Sequence, residues 1–113
     1  MGATTFGDLT VGRYKNASDA YNSLVEEAQH EYGHDPYNGT ISTTDGFKTV
    51  NDNPRYGTQS FSKWEDKMFD NMDKYDCLCV EITGAVLKRL KERNGYKGNK
   101  GIKAFYFIGW GSC

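Results

Sequence analysis

The sequence predicts a single α+β domain over residues 1–113, with a four- or five-stranded mixed sheet and about three helices packed on it. Strand-like and helix-like segments alternate along the chain, and residues 102–110 form an apolar run of strand length. A chain of 113 residues is long enough for one core. With 37% hydrophobic residues and a formal net charge of -1, the composition is that of a globular protein rather than a disordered one.

The chain begins with a predicted strand and a predicted helix. Residues 3–11 favour a short strand, whose apolar members are Phe6, Leu9 and Val11. Residues 16–33 then place apolar side chains at helical spacing. Asn16 and Ser18 are the N-cap candidates for this helix, and Gly33 stands where a C-terminal cap with positive φ is expected.

The middle of the chain is predicted to be extended, then looped, then helical. Residues 39–50 favour an extended segment, either one strand or a hairpin that turns at Asp45-Gly46. A loop rich in Asn, Pro and Gly follows over residues 51–60. Ser62 and Glu65 have the spacing of a capping box, which predicts that the second helix begins there. Its apolar stripe, predicted to pack in the core, comprises Trp64, Met68, Phe69, Met72 and Tyr75.

The C-terminal part reads as strand, helix and strand. Residues 77–83 predict a strand, and Thr83 is the N-cap candidate of a helix over residues 84–95. Residues 102–110 are apolar at both alternating sets of positions, which predicts a central strand that is covered on both faces.

Cysteine usage and the N-terminus predict a cytoplasmic protein of a host cell. The three cysteines are an odd number, and neither a signal peptide nor an apolar run of membrane-spanning length is present. Cys77 and Cys79 share one strand face with Glu81, and their spacing favours buried thiols over a metal site. Cys113 has no evident catalytic partners in the sequence. No cofactor is expected.

Residues 30–34, "HEYGH", match the H-E-x-x-H pattern of zinc hydrolases, with His30 and His34 as ligands and Glu31 as base. Zinc binding requires one continuous helix through both histidines, but Gly33 and the following Asp35-Pro36 predict that the helix ends before His34. His30 falls opposite the apolar stripe, and the chain has no third histidine. A zinc-dependent hydrolase is therefore the alternative rather than the leading hypothesis.

The charge distribution predicts a basic end. From residue 77 onwards, seven cations stand against two carboxylates, a net charge of +5. Glycine-rich loops between a helix and a strand can bind phosphate, so a nucleotide or nucleic-acid site is predicted here. The alternative is a solvated turn and an ordinary helix C-terminus. The candidate residues are Arg89, Arg93, Lys97, Lys100 and Lys103.

A second candidate surface is the turn after the first helix. Residues 32–43 combine aromatic, amide and hydroxyl side chains, and loops carry binding residues more often than scaffold elements do. Tyr37, Asn38 and Thr40 are the candidate binding residues, and a structural turn is the alternative interpretation.

The segment from Glu26 to Ile41 resembles a family of small, mostly uncharacterised proteins of phages and mobile elements. The residues that carry the resemblance are Glu26, Glu27, Ala28, Glu31, Tyr32, Gly33, His34, Tyr37, Gly39, Thr40 and Ile41. The resemblance implies a non-enzymatic accessory protein that inhibits a host defence, for example in an anti-CRISPR role. The partner would be a host protein, a nucleic acid or a nucleotide, without a membrane. A homo-oligomer that uses Tyr106, Trp110 and the sheet edge is a further possibility.

Overall fold

The computed structural model describes residues 2–33, 39–96 and 101–112. In chain order, the elements are β1 (Ala3–Arg13), α1 (Ala17–Tyr32), a single 3₁₀ turn (Ile41–Thr43), β2 (Lys48–Val50), α2 (Gln59–Asn71), β3 (Cys77–Ile82), α3 (Gly84–Arg93) and β4 (Ile102–Ser112). The strands form one mixed sheet in the order β1-β4-β3-β2. An α+β fold with a four-stranded sheet and three described helices is thus confirmed.

β4 is the central strand, as its apolar pattern predicts. It runs antiparallel to both β1 and β3, and β2 pairs in parallel with β3 at the far edge. All eleven residues of β1 pair with β4, from Ala3 opposite Ser112 to Arg13 opposite Ile102. This long pairing places the end of β1 directly beside the beginning of β4.

One face of the sheet, here called the α1 face, packs against α1 and the 3₁₀ turn. Cys77, Cys79, Phe105 and Phe107 contribute the sheet side of this core. The other elements contribute three buried residues, Ala20, Ala28 and Ile41. Small alanines let α1 lie close to the sheet, while the large rings of β4 fill the space between the layers.

The opposite face, here called the α2/α3 face, packs against α2 and α3. Leu90 of α3 lies with Ile82 and Ala104 in a second buried cluster. Further along β4, the Tyr106 ring lies 5.1 Å from that of Tyr56 and 5.8 Å from that of Phe61, between ring centroids. Desolvation by burial raises the pKa of Tyr106, and the nearby Glu65 carboxylate raises it further.

Both predicted ends of α1 are confirmed. The Asn16 side chain accepts a hydrogen bond from Asp19 N at 2.9 Å. At the other end, Gly33 has a φ of 77° and its N–H donates to Gln29 O at 2.7 Å, so the helix ends after Tyr32. α1 has 16 residues, and no described helix is both long and apolar enough to cross a membrane.

Two predictions about the middle of the chain are wrong. Residues 39–50 are not extended throughout: they form the 3₁₀ turn, and only Lys48–Val50 is a strand. Thr40 and the following hydroxyls favour the turn because Thr40 Oγ1 accepts from Ser42 N at 3.3 Å. α2 begins at Gln59 rather than at the Ser62 capping box. Thr58 is its N-cap, accepting from Phe61 N at 3.2 Å.

The predicted stripe of α2 is also less buried than expected. The half-buried members of the stripe are Trp64, Met68, Phe69 and Met72, and Tyr75 is 39% exposed. The buried residue of α2 is Phe61 instead. α3 follows the prediction more closely, with Thr83 as its N-cap and Asn94 after its last residue.

Candidate anion-binding site

The candidate site lies at the end of the sheet where β1 finishes and β4 starts. Gly12 lies opposite Lys103 and Arg13 opposite Ile102 in the antiparallel ladder. Residues that are about ninety positions apart in the sequence therefore become neighbours. This register adds cations of the N-terminal part to the basic end that the C-terminal sequence predicts.

A concavity of about 370 Å³ opens at this end of the sheet. Its lining residues are Arg13, Tyr14, Lys15, Gly101 and Lys103, and this site is called the basic concavity below. Three of these five described lining residues, Arg13, Lys15 and Lys103, are basic. The volume lies within the range of small-ligand sites, which starts at roughly 300 Å³.

Tyr14 is fixed in place by contacts within the fold. Its hydroxyl shares a hydrogen bond of 2.5 Å with Thr10 Oγ1, and its ring lies beside Gly12, which leaves room for it. The ring centroid is 6.3 Å from that of Phe105 in the core. An aromatic side chain held in this way costs little conformational entropy when a ligand stacks on it.

A hydrogen bond joins the Lys103 side chain to the Lys15 backbone. Lys103 Nζ donates to Lys15 O at 3.1 Å, which ties the first turn after β1 to β4. Lys15 N in turn donates to Asp19 Oδ2 at 3.3 Å, near the N-terminus of α1. The Lys103 side chain is thus anchored to the backbone that joins β1 to α1, and this backbone is in turn held to the first turn of α1.

The structure unites only part of the basic site that the sequence predicts. Lys103 lines the basic concavity, whereas Arg89 and Arg93 are exposed on α3 and are not among its lining residues. Lys97 and Lys100 lie outside the described residues. Arg13, Tyr14 and Lys15 were missed by sequence reasoning, and the run "RYK" at the end of β1 is the signal that could have found them.

The second predicted surface is remote from the basic concavity. Thr40 caps the 3₁₀ turn, and neighbouring Gly39 N donates to Ser112 O at 2.7 Å, at the opposite end of β4. Eleven strand residues span roughly 35 Å, so Thr40 and Lys103 cannot share a small ligand. Tyr37 and Asn38 lie outside the described residues.

The "HEYGH" segment is divided by the end of α1. His30 lies in the last turn of the helix and is exposed, as is Glu31. His34 follows the Gly33 cap and lies outside the described residues. Over residues 2–33, 39–96 and 101–112, no group of three or more His, Cys, Asp or Glu side chains could hold a metal ion.

The cysteines of β3 are buried thiols, as predicted. Desolvation by burial raises the pKa of Cys77, and the charges of Cys79 and Asp8 raise it further. Burial and the Glu81 charge raise the pKa of Cys79 to about 12. Thiolates are therefore scarce at neutral pH, so these residues are poor nucleophiles. Cys113 lies outside the described residues.

Two larger hollows lie elsewhere on the molecule. A hollow of about 380 Å³ between the end of α2 and the start of β3 has Met68, Met72 and Phe47 among its apolar walls. Another, of about 400 Å³, lies at the ends of β2 and β3 and includes Arg55 and Tyr56. Neither was predicted from the sequence, and neither gathers several cations as the basic concavity does.

No protein-family model, curated protein or solved structure matches this chain.

Proposed function

We propose that this protein is a non-enzymatic inhibitor that binds a nucleotide or a single-stranded nucleic acid in the basic concavity. Its role is that of a small phage-type accessory protein, which withholds the ligand from a host defence system such as CRISPR. The observation that carries the proposal is that Arg13, Tyr14, Lys15 and Lys103 line one concavity. Cations with an interleaved aromatic ring are the chemistry that nucleotides require.

The phosphate and the base of such a ligand have separate partners in the concavity. Arg13 offers a planar guanidinium that can donate two hydrogen bonds to a phosphate, and the lysines add point charges. Tyr14 offers an aromatic surface on which any base can stack. Recognition of this kind depends on phosphate charge and ring stacking, and so tolerates several bases.

The lining of the concavity supports binding rather than turnover. The described lining residues include no histidine, aspartate or glutamate, the side chains that most often accept a proton from an attacking water molecule. The Tyr14 hydroxyl is already bonded to Thr10. These described residues can hold an anion, and the proposal assigns them no chemical step. Occupying or sequestering the ligand is sufficient for inhibition.

Fluorescence anisotropy with labelled oligothymidylate, and competition by linear and cyclic nucleotides, tests this proposal. The variant Arg13→Glu/Lys15→Glu/Lys103→Glu should lose at least about tenfold in affinity. Reversal of three phosphate contacts should also reduce the slope of log affinity against log salt by about 2. Competition by a small nucleotide would distinguish a nucleotide ligand from a polymer.

The matched control is Lys48→Glu/Lys63→Glu/Lys67→Glu, which makes the same change in net charge. These three lysines are exposed and lie on β2 and α2, outside the basic concavity. Under the proposal, this control retains most of the affinity. An equal loss of affinity in the two triple variants would mean that binding depends on net charge alone. That result would contradict the proposed site.

A further inference from the structure

The two edges of the sheet differ greatly in length. β2, at one edge, has three residues, whereas β1, at the other, has eleven. β1 pairs with β4 on one side only. In the part of the chain that the structure describes, no backbone hydrogen bond from a loop or turn reaches β1. The outer side of β1 therefore presents a row of backbone donors and acceptors.

Long open edges of this kind are normally protected in monomeric proteins. Common protections are proline, lysine, an inward-pointing charge, a bulge or a covering segment. β1 contains neither proline nor lysine, and its ladder with β4 runs without a bulge from Ala3 to Arg13. Its one inward charge, Asp8, is half-buried on the α1 face and is a single protection on a strand of eleven residues. The edge is therefore suited to pair with another strand.

Leu9 marks the centre of the exposed side of this edge. It is 38% exposed, lies opposite Tyr106 on the α2/α3 face and is flanked on that face by the exposed Gly7. Neither α2 nor α3 packs extensively on β1. An exposed leucine on an open strand edge would gain by packing against an apolar side chain of a partner.

The sequence of β1 is compatible with itself in an antiparallel register centred on Leu9. When two identical strands pair around a twofold axis through residue k, residue i lies opposite the partner's residue 2k − i. An axis at Asp8 would place two carboxylates opposite each other, and an axis at Gly7 would place Phe6 opposite the partner's Asp8. An axis at Leu9 avoids both conflicts.

We propose that two copies of the protein associate through β1, in the antiparallel register centred on Leu9. Leu9 then packs against the partner's Leu9, and Asp8 lies opposite the partner's Thr10. The bulky Val11 and Phe6 lie opposite the small residues Gly7 and Gly12, respectively. Residues 5–13 of both copies pair, and the two sheets become one sheet of eight strands.

The dimer would place its two basic concavities at opposite ends of the shared strand pair. Arg13 of one copy lies opposite the partner's Thr5, so the two Arg13 residues are eight positions apart along the ladder, or roughly 27 Å. A dimer could therefore hold two ligands, or two points on one polymer, at once. The dimer itself does not rest on the proposed function, because its evidence is the edge alone.

Disulfide cross-linking tests the register directly. In a Cys113→Ser background, Leu9→Cys places two thiols opposite each other, and mild oxidation should give a cross-linked dimer in high yield. Thr5→Cys alone should not cross-link. A mixture of Thr5→Cys and Arg13→Cys proteins should cross-link, because residue 5 of one copy lies opposite the partner's residue 13. Cross-linking of Thr5→Cys alone, with none for Leu9→Cys, would overturn the proposed register.

Light scattering after size exclusion tests the interface without new cysteines. The parent chain should have the mass of a dimer, and Leu9→Lys should be a monomer because it places two ammonium groups opposite each other. Thr49→Lys, an exposed change on the short edge strand β2, is the matched control and should remain a dimer. A folded parent chain that is monomeric at high concentration would overturn the proposal.

Discussion

At the scale of single residues, the backbone approaches Gly109 too closely for any side chain to be added. A β-carbon on Gly109 would clash with the carbonyl oxygen of Asp76 and would also contact the Phe6 ring. That carbonyl accepts a hydrogen bond from Trp110 N at 3.2 Å, so it cannot move away freely. Glycine is required here by space rather than by backbone angle.

Gly109→Ala is therefore expected to destabilise the protein by about 1–3 kcal/mol or more. Gly12→Ala is the matched control, because the atoms nearest to its β-carbon belong to the Tyr14 side chain, at 3.3–3.4 Å, rather than to the backbone. Urea unfolding monitored by tryptophan fluorescence measures both. If the two variants were equally stable, the backbone at Asp76 would have to move away from the added methyl group without cost.

Asp8 predicts a dependence of stability on pH. Desolvation by burial raises its pKa above the usual 3.8, and the Glu27 charge raises it further. A raised carboxyl pKa in the folded state means that stability is lost as pH rises through that pKa. Asp8→Asn should therefore raise the free energy of unfolding at pH 7, and the gain should vanish below pH 3.8.

The control for this prediction is Asp66→Asn, which changes an exposed carboxylate on α2. Urea midpoints of the three proteins at both pH values give the comparison. A gain for Asp8→Asn that persists undiminished at the lower pH would mean that shape rather than charge limits this position.

At the scale of elements, local signals predicted some segments well and others poorly. α1 and β4 were predictable because helical spacing, a cap and a doubly apolar run all agree within each segment. The start of α2 was not, because Ser62 and Thr58 are both acceptable N-caps in sequence. Starting at Thr58 brings Phe61 onto the Tyr106 ring, at 5.8 Å, a contact that local sequence does not reveal.

This correction can be tested by removing each cap. Thr58→Ala should cost about 1 kcal/mol, because Thr58 Oγ1 accepts from Phe61 N at 3.2 Å. Ser62→Ala should change stability by less than about 0.5 kcal/mol, because this residue lies on the exposed surface of the helix. Thermal unfolding followed by circular dichroism separates the two. A larger loss of stability in Ser62→Ala than in Thr58→Ala would mean that Ser62 is the N-cap after all.

At the scale of the whole molecule, the register of β1 against β4 creates the candidate site. The sequence has an excess of cations from residue 77 onwards, and the candidate from that part that lines the basic concavity is Lys103. Arg13 and Lys15 belong to the acidic part of the chain, and only pairing across about ninety residues brings them to Lys103. Such pairing depends on the topology of the whole sheet. For this reason the sequence indicates a basic end but does not reveal that Arg13 and Lys15 belong to it.

The proposed dimer belongs to the same scale. The sequence indicates the sheet edge, Tyr106 and Trp110 as possible contacts between copies. The structure gives the two aromatic residues internal partners, since Tyr106 packs on Tyr56 and Trp110 Nε1 donates to Phe69 O at 2.8 Å. The edge of β1 has no such partner among the described residues. That the sheet has an open edge of eleven residues follows only from the strand order, which the sequence does not give.

The most direct test of ligand binding at the basic concavity is a titration of the ¹⁵N-labelled protein with a nucleotide or oligothymidylate, followed by amide chemical shifts. If the ligand binds there, the largest changes occur at the junction of β1 and β4, at Arg13, Tyr14, Lys15, Gly101 and Lys103. Changes confined to the Met68–Met72 hollow or to the end of β4 near Thr40, or no changes at saturating ligand, would contradict the proposed site.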